Sequence, residues 1–119
     1  SAGLRIPVSG PAARRVENRL PGSDSNPYLA IAASLACGYL GIKNKLEPRP
    51  AVVGNAYRND HQLPRGLLEA LLEFEDSKDL HKILGDRFSH VYLQMKRSEF
   101  EEFMRVISPW EREHLLLSV

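Results

Sequence analysis

The chain has 119 residues, 43% of them hydrophobic and 26% charged, a composition that excludes a disordered chain and limits it to one domain or part of one. Against 15 acidic residues stand 16 lysines and arginines, and the resulting formal charge of +1 argues against nucleic-acid binding, which rests on a basic excess. The single cysteine, Cys37, excludes an internal disulfide and a cysteine-built zinc site, and its place in Ala36-Cys37-Gly38 predicts a buried packing thiol.

The first residues contain no basic region followed by an apolar run, so no secretory signal is expected. Tyr28 to Tyr39, the longest apolar stretch, is broken by Ser34 and Gly38 and is too short to span a bilayer. A soluble, cytoplasmic protein is therefore expected. The chain lacks an initiator methionine and opens on Gly3-Leu4-Arg5-Ile6-Pro7-Val8, a strand already under way, as a C-terminal piece of a larger domain would.

The predicted elements begin with extended structure over residues 1–20. Leu4 to Val8 contains Pro7, which suits a strand end or an edge, and Gly10-Pro11 marks a turn. Arg14 to Leu20 then alternates, with Arg15, Glu17 and Arg19 on one face and Arg14, Val16, Asn18 and Leu20 on the other. Two strands make a poor sheet alone, so this end calls for more strands than it contains.

After Pro21 the pattern is helical. Pro21-Gly22-Ser23-Asp24-Ser25 is a turn, and Asn26-Pro27 supplies an N-cap followed by proline at the first helical position. That helix should run to roughly Lys45, and its Ala30, Ala32, Ala33, Ser34, Ala36 and Gly38 predict burial against other elements. Pro48, Pro50 and Gly54 punctuate a loop of about fifteen residues ending at Leu63. A second helix should start near Pro64 and carry Leu67, Leu68, Leu71 and Leu72 on one side, with a third between Asp76-Ser77 and Gly85. A fourth, Asp86 to Ile107, places Phe88, Val91, Tyr92, Met95, Phe103 and Val106 on one stripe. Ser108-Pro109-Trp110-Glu111 has capping-box spacing and should open a last turn before Leu115-Leu116-Leu117. The expected class is α+β and mostly helical: two short N-terminal strands over 1–20, then four to five helices over 26–119.

The alternating set Arg15, Glu17 and Arg19 is the chemical candidate, spread along roughly 13 Å of strand. It reads either as a solvated ladder of weak ion pairs or as a site for phosphate, carboxylate and metal. Arginine clamps such anions bidentately and glutamate oxygens are hard ligands for magnesium or manganese; Arg5 adds a third cation if the strands pair. His61, His81, His90 and His114 lack metal-ligand spacing, and His81 with Lys82 is expected on a solvated face. Ser108 and Ser118 have no base–acid arrangement to activate them. The run Lys96-Arg97-Ser98-Glu99 with Glu101-Glu102 reads as a solvated face, and Trp110 as an anchor within or between subunits. No glycine-rich phosphate loop is present, because Pro21-Gly22-Ser23-Asp24 lacks its lysine and spacing.

Several blocks together resemble one family. Arg5-Ile6-Pro7, Arg15-Val16-Glu17-Asn18-Arg19 and Pro21-Gly22-Ser23-Asp24-Ser25-Asn26-Pro27-Tyr28-Leu29-Ala30 are similar to the last blocks of the glutamine synthetase superfamily catalytic domain. The likeness continues through Ala33 to Gly41, Gln62-Leu63-Pro64-Arg65 and Trp110 to Leu117. Glu17-Asn18-Arg19 and the tail look closer to γ-glutamylpolyamine (γ-glutamylputrescine) synthetases than to ammonia-using enzymes.

The resemblance implies a ligase that joins the γ-carboxyl of glutamate to an amine through γ-glutamyl phosphate, using ATP and Mg2+ or Mn2+. It implies that Glu17 ligates the metal, that Arg19 contacts the substrate's γ-carboxylate as substrate-binding and catalytic residue, and that Arg5 and Arg15 contact the nucleotide phosphates. It ranks a polyamine such as putrescine first, then another primary amine, then ammonia. It also implies a homo-oligomer of two stacked hexameric rings in the full-length protein, with no nucleic-acid or membrane partner and no activity in this piece alone. Two departures stand out. Pro11-Ala12-Ala13 lies where many members carry a nucleotide-contacting lysine, and a family arginine would fall just before Ser1. The alternative reading is a non-catalytic relative serving structure, regulation or oligomerisation.

Overall fold

Two antiparallel strands open the chain in the computed structural model, which describes residues 3–56 and 63–116. Strand β1 is Leu4–Arg5 and β2 is Glu17–Asn18, paired with Leu4 opposite Asn18 and Arg5 opposite Glu17. Both are shorter than the alternation suggests. A 3-10 turn over Pro11–Ala13 lies between them, and Arg19 N–H donates to Gly3 O at 2.8 Å, carrying the ladder one step beyond β2.

Helix α1, Pro27–Lys43, follows from its caps. The Asn26 side chain accepts from Tyr28 N–H at 3.0 Å and Leu29 N–H at 3.3 Å, satisfying two of the amides that a helix start leaves unpaired. At the other end Lys45 takes a left-handed conformation, φ 52°. Lys45 N–H then donates to Ile42 O and Leu46 N–H to Gly41 O, the paired bonds that close a helix with a left-handed residue, normally glycine. That closure stops α1 two residues short of the predicted end.

The expectation that α1 is buried does not hold within the described chain: only Ala36 is buried, and Ile31, Leu35, Tyr39 and Ile42 are exposed. Cys37, expected to be a packing thiol, is exposed as well. The small residues permit close approach on every side, but among the described residues little approaches.

The chain divides into two units, Ser1–Leu63 and Pro64–Val119. In the second, α2 (Leu67–Asp76) and α3 (Lys78–Leu84) both pack on α4 (Asp86–Met104). Helix α2 begins three residues after Pro64, where Glu69 reaches back to accept from Arg65 N–H at 2.8 Å. Gly85 ends α3 and starts α4 at φ 96°, a backbone that side chains with a Cβ rarely adopt. Leu71 and Leu93 are 3% and 5% exposed and form the apolar core of this unit, with Ser89 fully buried.

The covered face of α4 runs through Ser89, Leu93, Lys96 and Phe100, and includes Tyr92. Of the predicted stripe, Phe88, Val91, Met95, Phe103 and Val106 are exposed. The helix carries apolar residues on two sides, and the side that is covered is the one bearing Ser89 and Leu93. Leu67, Leu68 and Leu72 of α2 are likewise exposed, leaving Leu71 alone buried.

Three polar readings are corrected here. His81 is half-buried, with Nε2 2.9 Å from Phe74 O and its ring 4.9 Å from the Phe74 ring, so it satisfies a carbonyl near the end of α2. Arg97, expected in solvent, pairs with Glu75 and ties α4 to α2. Lys96 is partly covered too and pairs with Glu99 at 2.6 Å. The predicted capping box is present at α5, Pro109–His114, where Trp110 is 60% exposed and stacks on His114 at 4.7 Å. His61, Gln62, Leu117 and Ser118 lie outside the described residues. Among the described residues no helix is long and apolar enough to cross a membrane.

The core of the second unit makes opposite predictions for neighbouring positions. Ser89 Oγ is buried without a hydrogen-bond partner, so Ser89→Ala should be neutral or stabilising by up to about 1 kcal/mol. Leu93→Ala leaves a cavity and should cost about 2–5 kcal/mol. Denaturant unfolding of both variants checks the pair.

The capping box predicts an acid response. Glu111 is held below its ordinary range by hydrogen bonds from the Ser108 backbone N–H and then the Ser108 hydroxyl. Because the folded value is depressed, the box is intact above the usual carboxylate range and is lost as pH falls through that lowered value. Amide exchange at Ser108 and Glu111 should accelerate in that window, and Glu111→Gln should abolish the dependence.

Candidate functional site

Glu17 is the centre of the site because the ladder puts a cation on either side of it. Directly opposed residues of an antiparallel pair share a face, and Arg5 opposes Glu17. Arg5 Nη1 lies 3.3 Å from Glu17 Oε2. On Glu17's own strand the side chain two residues back shares the same face, and Arg15 approaches the other oxygen, with Nη2 at 2.9 Å and Nε at 3.2 Å from Oε1. Each carboxylate oxygen is thus held by a different guanidinium. The pairing of Arg5 with this set, expected only if the strands paired, is formed.

The 3-10 turn aims Arg15. Its Ala13 carbonyl accepts from Arg15 Nη1 at 3.2 Å, so the guanidinium is fixed at both ends, by the turn and by Glu17. This turn is built from Pro11-Ala12-Ala13, the segment that lacks a lysine. Strand alternation puts Arg19 on the Glu17 side, and it has no side-chain partner among the described residues. The structure thus joins Arg5, Glu17 and Arg15 by direct contact and leaves Arg19 beside them.

Magnitudes limit what these pairs do for stability. Arg5 and Arg15 side chains are each 55% exposed and Glu17 is 28% exposed. Exposed pairs of this kind contribute on the order of 0–1 kcal/mol. Two guanidinium groups on one carboxylate leave an excess of positive charge, which suits an anion with several oxygens, such as phosphate or carboxylate. Glu17 itself offers two hard oxygens. Among the described residues no group of three or more histidine, cysteine, aspartate or glutamate side chains could hold a metal ion. Magnesium takes about six oxygens, so Glu17 fits as one ligand of a larger set and cannot close a shell alone.

Reading the sequence missed the residues behind the site. Asn18, between Glu17 and Arg19, faces the other way: its Nδ2 donates to Ser34 Oγ of α1 at 2.8 Å, and its Oδ1 accepts from Leu20 N–H at 3.1 Å. Ser34 Oγ donates to Ala30 O at 2.7 Å. Beside this contact lies an open, mostly apolar cleft of about 280 Å³ lined by Asn18, Pro21, Ala30, Ile31, Ser34 and Leu35. The available signal was an asparagine inside a strand pattern, where it is disfavoured unless its side chain has a task.

Comparison with known proteins places these residues in context. Residues 1–115 match the model of the glutamine synthetase catalytic domain. The chain is 42% identical over 111 residues to a glutamate–isopropylamine ligase of a Pseudomonas species, covering 90% of this chain and 24% of that protein. It is 39% identical over 114 residues to a γ-glutamylputrescine synthetase of Escherichia coli (strain K12), covering 95% of this chain and 24% of that one. It is also 38% identical over 123 residues to a glutamine synthetase of Methanosarcina mazei, covering 95% and 27% respectively. The chain therefore spans about a quarter of the length of the curated relatives it matches.

Proposed function

The chain belongs to the glutamine synthetase family through its catalytic domain, and from that premise we propose that the whole protein is an ATP-dependent glutamate–amine ligase of which these residues form one wall of the active site. The observation that carries the reading is the engagement of both Glu17 oxygens by separate guanidinium groups, with Arg19 alongside. A stability device would gain little from such exposed pairs, whereas a site for phosphate and metal needs this set of charges.

In this proposal the γ-carboxylate of glutamate attacks the terminal phosphorus of ATP, ADP leaves, and an amine then displaces phosphate from the γ-glutamyl phosphate. Arg5 and Arg15 neutralise the phosphoryl oxygens as charge shifts toward the leaving group. Arg19 orients the γ-carboxylate bidentately for in-line attack. Glu17 supplies one oxygen ligand to a divalent ion. Such an ion, Mg2+ or Mn2+, would supply neutralisation of the charge on the transferring phosphoryl group when bound. The chain alone holds one ligand of that shell and is proposed to be inactive by itself.

A polyamine such as putrescine is proposed as the acceptor, ahead of another primary amine and of ammonia. Two similar proteins, a glutamate–isopropylamine ligase and a γ-glutamylputrescine synthetase, are named for amines larger than ammonia, which supports such an acceptor here. Assembly into two stacked rings of six is proposed for the whole protein. The exposed apolar residues of α1 and of the second face of α4, which call for cover, support burial within a larger body.

A coupled ADP-release assay on the full-length protein tests this reading. With glutamate, Mg2+ and putrescine, ADP should appear, and Arg19→Ala should lower the rate by at least about a hundredfold. No ADP release with putrescine, other primary amines or ammonia would overturn it.

A further inference from the structure

The site strand is anchored on the side opposite its charges. Strands β1 and β2 pair over two residues each, and a ribbon that short is marginal in water, so the ladder by itself does little to fix how β2 is rotated. Asn18 supplies the missing constraint. Its side chain uses both polar atoms: Nδ2 donates to Ser34 Oγ at 2.8 Å, while Oδ1 accepts from Leu20 N–H at 3.1 Å. The Ser34 hydroxyl proton is committed to Ala30 O at 2.7 Å, which leaves an oxygen lone pair for Asn18. The chain of donors and acceptors is consistent from Asn18 to Ala30, with Ser34 Oγ accepting from Asn18 and donating to Ala30 O.

Helix α1, to which this bracket is tied, is 17 residues long and closed by side-chain capping at its start and by the Lys45 turn at its end. It is the firmer partner. Successive residues of a strand point to opposite faces, so fixing Asn18 against α1 fixes the direction in which both Glu17 and Arg19 project. The Leu20 bond also sets the backbone immediately after Arg19.

We propose that Asn18 and Ser34 are positioning residues for the ligase reaction: together they hold β2 against α1 so that Glu17 and Arg19 meet metal and substrate in register. Neither touches the reacting atoms; they act through Glu17 and Arg19. The assignment rests on the ligase reading given above. Partners behind a metal ligand typically alter metal affinity or activity by about ten- to a hundredfold when removed, and displacement of about 1 Å at a reacting centre has effects of similar size.

Ser34→Ala in the full-length protein is the informative variant, since alanine suits a helix interior better than serine and removes only the hydroxyl that accepts from Asn18 and donates to Ala30 O. Its Mn2+ affinity, followed by electron paramagnetic resonance without turnover, and its KM for glutamate should both worsen by about tenfold or more. The melting temperature should stay close to wild type, and Ser34→Thr, which keeps the hydroxyl, should restore both constants. Asn18→Ala should reproduce the defect. Unchanged Mn2+ affinity and KM in Ser34→Ala, or a lowered melting temperature with unchanged constants, would overturn the positioning role while leaving the ligase reading intact. A wild-type protein that neither binds Mn2+ nor turns over glutamate would instead overturn the ligase reading and this assignment with it.

Discussion

A single carboxylate shared between two guanidinium groups organises the N-terminal unit. Glu17 is reached from across the ladder by Arg5 and along its own strand by Arg15, and each arginine takes a different oxygen. The rest of the local structure serves that meeting. The two-residue ladder brings Arg5 opposite Glu17, the turn at Pro11–Ala13 offers a carbonyl that aims Arg15, and Asn18 ties the back of the strand to α1. The energy of the pairs is small at this exposure, so their value lies in geometry. Charges kept close in a fixed arrangement can exchange one another for a metal ion and phosphate oxygens without large rearrangement.

The second constraint is apolar surface left without cover. Two compact bodies of half this mass would together expose on the order of 8,000 Å², whereas the chain exposes 10809 Å². Side chains that ordinarily pack are among those exposed, such as Ile31, Leu35 and Ile42 on α1 and Val91 and Phe103 on α4. The helices are nonetheless well formed, because their ends are specified locally by Asn26, Lys45, Gly85 and the Ser108–Glu111 box. Local capping sets where each helix starts and stops; burial of its faces is a separate requirement. In the proposed full-length ligase, the residues beyond this chain would supply that cover.

That separation explains what was legible in the sequence. Caps and turns are short-range, so Asn26-Pro27, Gly85 and the Ser108 box gave α1, the α3–α4 junction and α5 nearly residue by residue. Alternation was enough to put Arg15 and Glu17 on one face, and Arg5 joined them once the strands paired. Burial was less legible because it depends on neighbours. Small residues around Cys37 suggested a packed helix, yet the described chain covers only Ala36. On α4 a stripe of large apolar residues drew attention from the face that packs, which is marked by small Ser89 and by Leu93. The Asn18–Ser34 bond joins residues sixteen apart in sequence, and no periodicity announces it.

The central claim is that Glu17 is a metal ligand held ready by its two arginines. Calorimetric titration of the full-length protein with Mn2+ tests it most directly, comparing wild type with Glu17→Gln, which keeps the shape of the side chain and removes its charge. The account predicts that the variant loses at least about tenfold in Mn2+ affinity while its fold and melting temperature are retained. Equal Mn2+ affinity in the two proteins would contradict it and return the Arg5–Glu17–Arg15 set to an exposed ladder of ion pairs.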